Sequence, residues 1–153
     1  MNEENVKTFI ILPALQKSGW NNPEVLCAEY KITDGMQTGL TAYAAPLNHY
    51  DVLVEKRGGK FYARSNIRIG EMAHSFKEIQ LKSTTAYLRI TSDKEFYYLE
   101  ISDDGKKFQS LGRMDFRYLT TEVIGGFTGV MLGVFAQGGK GYADFDWMEY
   151  EGK

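Results

Sequence analysis

The segment Lys60–Ile69, KFYARSNIRI, alternates along its whole length. Phe61, Ala63, Ser65, Ile67 and Ile69 share one parity, and Tyr62, Arg64, Asn66 and Arg68 share the other. Successive side chains of a strand point to opposite faces, so this reads as a strand with one dry and one wet face. The pattern recurs along the chain, punctuated by turn signals about every ten residues, while the 3.6-residue period of an amphipathic helix is nearly absent.

The other strand-like runs are Val6–Leu12, Glu24–Ile32, Thr38–Ala45, His49–Lys56, Phe76–Leu81, Ala86–Thr91, Glu95–Ser102, Lys107–Leu111, Thr128–Ala136 and Tyr142–Tyr150. Asp34-Gly35, Gly58-Gly59 and Asp103-Asp104-Gly105 separate neighbouring runs, and the last is the strongest local hairpin signal. Leu119–Glu122 is either one helical turn capped by Thr120 or an irregular corner. Glu71-Met72-Ala73 looks disordered, with His74 beside it at the surface. The expectation is roughly ten to twelve short strands and no clear helix, closed into an all-β jelly-roll β-sandwich of two antiparallel sheets. With 153 residues and no linker or repeat, residues 1–153 read as a single β-sandwich domain.

Charge removes some functions. Net charge is -2, and the longest basic stretch, Lys56-Arg57, is preceded by Glu55. A nucleic-acid partner, which needs a basic stripe, is not expected. The acidic start MNEENVK lacks the positive n-region of a signal peptide, which favours a cytoplasmic protein. No apolar run is long enough to span a membrane, so no membrane partner is expected either. Cys27 is the only cysteine and there are two histidines, so no zinc set is available, and Cys27 reads as a buried, inert thiol. Nucleophile elbows, Walker loops and dinucleotide fingerprints are missing.

The closing run carries acids: Asp144, Asp146 and Glu149 give D-x-D-x-x-E. Retaining glycosidases built on sandwiches place E-x-D-x-E or E-x-D-x-x-E on one strand, with nucleophile and acid about 5–5.5 Å apart. An Asp in the first place would set a nucleophile back by about an ångström, which costs roughly a hundredfold. Calcium is a second reading, because carboxylates are its usual ligands and Asp144 or Asp146 could supply one or two oxygens. A third is purely structural, one Asp accepting backbone N–H groups while the other meets solvent. Carbohydrate sites stack sugars on aromatics and clamp hydroxyls with polar side chains. Trp20 among turn formers, Tyr50 beside Asn48 and His49, and Tyr62 with Arg64 on the wet face are the candidates, against core packing as the alternative for each aromatic.

Three segments, YYLEISDDGKKFQSLG, LTTEVIGGFTGVMLGVFAQ and YADFDWMEY, resemble the C-terminal concanavalin A-like sandwich of glycoside hydrolase family 43 β-xylosidases and arabinofuranosidases. MQTGLTAYAAPLNHYDVLV is similar to an earlier segment of the same domain, so the likeness runs from about Thr38 to Tyr150. Met148 stands where an aromatic is usual, and the family's opening strands have no clear match before Thr8. The resemblance implies a concanavalin A-like jelly roll that packs on a catalytic five-bladed propeller carrying the catalytic acids. It implies no glycosidase chemistry for the sandwich itself, so the catalytic set is expected to be empty. It also implies that Phe127, which opens the F-T-G motif, reaches towards the substrate pocket. Asp144 is the matching position for a structural calcium. Xylo- or arabino-oligosaccharide is the implied sugar. A free-standing carbohydrate-binding, lectin-like module is the alternative, and a family 16-like hydrolase using Asp144, Asp146 and Glu149 is a third.

Overall fold

The computed structural model describes residues 8–12, 28–83, 85–126, 129–145 and 147–151, and for 8–12, 28–31, 144 and 147–151 it describes the backbone alone. Thirteen strands are present among the described residues. In chain order they are β1 (Thr8–Leu12), β2 (Ala28–Ile32), β3 (Gln37–Ala45), β4 (Asn48–Arg57), β5 (Lys60–Ile69), β6 (Met72–His74), β7 (Glu78–Leu81), β8 (Thr85–Ser92), β9 (Phe96–Ser102), β10 (Gln109–Asp115), β11 (Met131–Gln137), β12 (Gly141–Phe145) and β13 (Trp147–Glu151). A 3₁₀ turn, Phe116–Leu119, and a four-residue helix α1, Thr121–Ile124, join β10 to β11.

The strands form two antiparallel sheets. One runs β10-β9-β8-β2-β12; the other runs β11-β3-β4-β5-β6, with β7 also paired to β5. β1 and β13 form a separate ladder, Thr8 opposite Glu151 and Leu12 opposite Trp147. The expected all-β sandwich of two antiparallel sheets is what the chain forms. The final run, which reads as one strand, serves two ladders: up to Phe145 it pairs with β2, and from Trp147 it pairs with β1.

Alternation places the core between the sheets. In β8, Ala86, Leu88 and Ile90 are buried, and in β9 so are Tyr97, Leu99 and Ile101. Cross-strand pairing sets Leu88 opposite Ile101 and Ile90 opposite Leu99, so one register aligns both apolar rows. Leu40, Ala42, Tyr50, Val52, Val54, Ala63 and Ile67 of the other sheet close on them. In β5 the dry and wet parities follow the sequence pattern, with Ala63, Ser65 and Ile67 buried and Arg64, Asn66 and Arg68 only partly so. Two polar residues at core positions find partners: the Thr38 hydroxyl donates to the Phe135 carbonyl (2.8 Å), and Ser65 Oγ accepts from the Phe76 amide (3.1 Å).

The turns act where the sequence marked them. Gly58 and Gly59 both take positive φ (58° and 79°), as a two-residue hairpin between β4 and β5 requires. Asp104 anchors the β9–β10 connection by accepting from the Lys106 and Lys107 amides. The helical turn forms, but Thr120 caps it differently from the expectation: its hydroxyl donates back to Arg117 O (2.7 Å) and makes no cap bond to the helix. Met72–His74 is also ordered, as β6 on the edge of its sheet, with His74 exposed and set edge-on to Phe76.

Candidate functional site

Tyr50 requires a correction. It was a candidate sugar platform, yet it is fully buried, with its parity on the inner face of β4. Its hydroxyl donates to the Asp115 carbonyl (2.6 Å), and its ring meets Tyr97 edge-on. Burial, reinforced by nearby Asp115, pushes the phenol pKa well above its usual value. The physical reason is that Tyr50 shares its parity with Val52 and Val54, which face the core, while His49, Asp51, Leu53 and Glu55 face outward, and β4 lies in the middle of its sheet.

Tyr62 and Arg64 do point outward, as expected, opposite Glu55 and Leu53 of β4. They arrive with partners. The Arg57 guanidinium lies 4.2 Å from the Tyr62 ring centroid and also pairs with Glu78, while Arg64 Nε approaches Glu55 at 3.4 Å. One face of the Tyr62 ring is thus already occupied by a cation. Trp20 and Phe127 lie outside the described residues, as do Asp146 and the side chains of Asp144 and Glu149. The Asp144 backbone pairs with Glu29 in the β12–β2 ladder. Among the described residues no three His, Cys, Asp or Glu side chains converge as metal ligands would.

The structure assembles something the sequence reading missed, an apolar end to the sandwich. Leu47, in the β3–β4 turn, accepts the Gly70 amide at the β5–β6 turn (2.7 Å). Asn48 Nδ2 beside it donates to Tyr118 O in the 3₁₀ turn (3.0 Å). Met131, which opens β11, pairs with Tyr43 near the end of β3. These bonds bring to one end of the sandwich the turns and strand ends that carry Leu47, Met72, Phe116 and Met131, all exposed, with Met72 on the crevice side of its sheet and Met131 on the outer side. Val123 on α1 is exposed as well. Beside this end the sandwich opens into a crevice of about 300 Å³, lined by Ile67, Ile69, Met72, His74, Phe76 and Met114 and almost wholly apolar. Exposed apolar residues gathered in one place mark an interaction surface, whereas scattered ones mean little. The connection between α1 and β11 is described up to Gly126 and again from Gly129. Each of these residues sits singly in a different turn or strand end, which is why no local pattern reveals the cluster.

Comparison with known proteins agrees with this architecture. The family model for the β-xylosidase C-terminal concanavalin A-like domain matches residues 28–151. The non-reducing end α-L-arabinofuranosidase BoGH43B of Bacteroides ovatus is 32% identical over 120 residues, covering 74% of this chain and 22% of that protein. The solved structure of a xyloglucan PUL GH43B from Bacteroides ovatus superposes with a TM-score of 0.75 at 26% identity, over 97% of this chain and 27% of that one. The GH43 BlXynB protein of Bacillus licheniformis superposes with a TM-score of 0.78 at 18% identity, over 99% of this chain and 28% of that one, and so shares the fold. The chain therefore spans about a quarter of the length of these three relatives.

Proposed function

Because this chain belongs to the C-terminal concanavalin A-like domains of β-xylosidases, we propose that it is a non-catalytic ancillary domain of a hemicellulose-degrading glycoside hydrolase. In this reading it seats its apolar end on a family 43-type catalytic propeller, and the loop bearing Phe127 helps shape that propeller's pocket. The observation that carries the proposal is the gathering of Leu47, Met72, Phe116 and Met131 at one end, next to an open apolar crevice. A surface of that kind gains free energy in proportion to the apolar area it loses to a partner, about 25 cal/mol per Å². Chemistry would stay with the propeller; this domain would supply packing and position, which govern how well a pocket holds a sugar for attack.

A chimera tests it. The chain replaces the matching C-terminal segment of the 32% identical arabinofuranosidase, and turnover of an aryl arabinofuranoside and the melting temperature are measured. The expected result is an active enzyme that loses activity and thermal stability when Met72→Asp and Phe116→Asp are introduced together. A chimera indifferent to that pair overturns the proposed docking end. Turnover of an aryl xyloside or arabinofuranoside by the pure chain overturns the non-catalytic role.

A further inference from the structure

The register of the six-stranded sheet builds a second feature, on the outer face away from the core. Cross-strand partners share a face, so the pairings define rows that run across the strands. One row is Gly133, Thr41, Asp51 and Asn66. On one side of it lies the row Met131, Tyr43, His49 and Arg68, and on the other Phe135, Gly39, Leu53 and Arg64. The middle row has small or short polar side chains and the flanking rows carry the rings. The outcome is a hollow of about 120 Å³ lined by Thr41, Tyr43, His49, Asp51, Phe135 and Gln137.

Asp51 organises its floor. It is only 4% exposed. It accepts from Thr41 Oγ1 (2.5 Å), His49 Nδ1 (2.9 Å) and Asn66 Nδ2 (2.8 Å). A carboxylate held this way has its lone pairs engaged and makes no demand for an added cation. It also fixes the imidazole: Nδ1 must carry the proton it donates to Asp51, so in the neutral ring Nε2 is an acceptor. The His49 ring is stacked on Tyr43, with centroids 5.7 Å apart and planes 18° from parallel. Gln137 Nε2 donates to Gln37 Oε1 (2.9 Å), which braces the rim. Beside the hollow, Arg68 stands opposite His49 with its Nε on the Gly70 carbonyl (2.7 Å), one positive charge against the carboxylate of Asp51, and farther along the sheet Arg57 and Arg64 are matched by Glu55 and Glu78, so the formal charges of this face offset one another.

We propose that this hollow is a subsite for one ring of a neutral, hydroxyl-rich saccharide chain. The rings of Tyr43 and Phe135 meet the apolar face of the sugar, and His49 Nε2 accepts a hydroxyl. A balanced charge field disfavours an anionic or cationic ligand, and the volume suits a single sugar ring rather than a drug-sized molecule. Preset donors and acceptors beside aromatic rings favour a ligand that is itself apolar on its faces and polar at its edge. Tyr43 is paired to Met131 of the apolar end, so a saccharide leaving a pocket at that end would lie along this face. Tyr50 and Tyr62 do not line it.

The test is an NMR titration of the pure full chain with xylotetraose and with arabinotetraose, with an oligogalacturonate as the charged comparison. Expected are saturable shifts at the Tyr43, His49, Gly133 and Phe135 amides for a neutral sugar, with a Kd on the order of 1 mM. Gly133 shares its face with Thr41, and a Cβ built on it meets no atom within 4 Å. A side chain at 133 therefore starts in open space on the face of Thr41, and Gly133→Leu, which extends an apolar group over the middle row, is expected to abolish the shifts at an unchanged melting temperature. Tyr43→Ala, a second variant, is expected to weaken binding about tenfold, the loss of one ring contact. Absence of saturable shifts with both neutral sugars overturns the proposal, as do shifts that survive both substitutions or a preference for the charged oligomer. The docking proposal stands or falls separately, on the chimera.

Discussion

The phenol of Tyr50 donates a 2.6 Å hydrogen bond to the backbone carbonyl of Asp115. The donor sits mid-sheet on β4 and the acceptor at the end of β10, so the bond crosses from one sheet to the other. Tyr50→Phe leaves that carbonyl without its donor and is expected to cost about 1–2 kcal/mol at neutral pH. The same residue sets a pH dependence. Its folded pKa is raised, mainly by burial, so below about pH 10 the phenol is protonated in both states. Above that the unfolded chain loses the proton first, binds fewer protons than the native state, and stability falls as pH rises. Urea unfolding near pH 7 and near pH 11 measures both effects, and the alkaline loss should be smaller in the Phe variant.

Asp104 behaves oppositely. The Lys107 and Lys106 amides and the Ser102 hydroxyl hold its carboxyl down to a pKa of about 2. The depressed value means its contribution is complete above about pH 4, the ordinary carboxylate range, and is lost as pH falls towards 2. Asp104→Asn is expected to flatten the stability profile across that window. An acid titration followed by circular dichroism, run on both proteins, checks it.

Two strand glycines on the same outer face should respond in opposite ways. A Cβ on Gly39 would lie 2.0 Å from the Val52 carbonyl oxygen and 2.7 Å from Leu53 Cα, both backbone atoms that cannot swing aside. Gly39→Ala is expected to destabilise by about 3 kcal/mol or more. Gly133→Ala meets open space and should be neutral or stabilising, within about 1 kcal/mol, since alanine is less costly to order than glycine. Thermal melts of the pair decide whether β3 and β4 approach as closely as the structure has them.

If the proposed seating on a propeller holds, Phe127→Ala in the chimera lowers kcat/KM on an aryl arabinofuranoside by roughly tenfold, the scale of one lost apolar contact. Unchanged kinetics would remove Phe127 from the pocket while leaving the docking end to be judged by its own substitutions.

Much of the architecture was legible because strand signals are local. In β5 a single charged parity faces water, and in β8 and β9 the alternation carried straight into the buried rows. The Gly58-Gly59 and Asp103-Asp104-Gly105 turns work for the same reason: positive φ and side-chain capping depend on the residues in the turn. The family likeness added what periodicity cannot, an expected topology and a partner to propose. Tyr50 shows the limit. On β4 both parities carry bulk, since Leu53 is buried on the outer face as Val52 is on the inner one. Tyr50 shares its parity with Val52 and Val54, and how completely the facing sheet seals that row was settled by the tertiary packing.

Asp51 marks the same boundary at the site. In the sequence it interrupts a run of valines and leucine and reads as a polar break. His49 is its one near partner in sequence, and the other two lie 10 residues before it and 15 after it. The apolar end likewise draws one residue from each of several separate turns. Residue type and period determined that this chain makes strands, where it turns, and that two sheets close on a core. Only the tertiary structure decided which aromatics are sealed, which acid is surrounded by donors and which exposed side chains stand together, because those depend on register and on turns meeting across the sandwich, and no local stretch of sequence contains either.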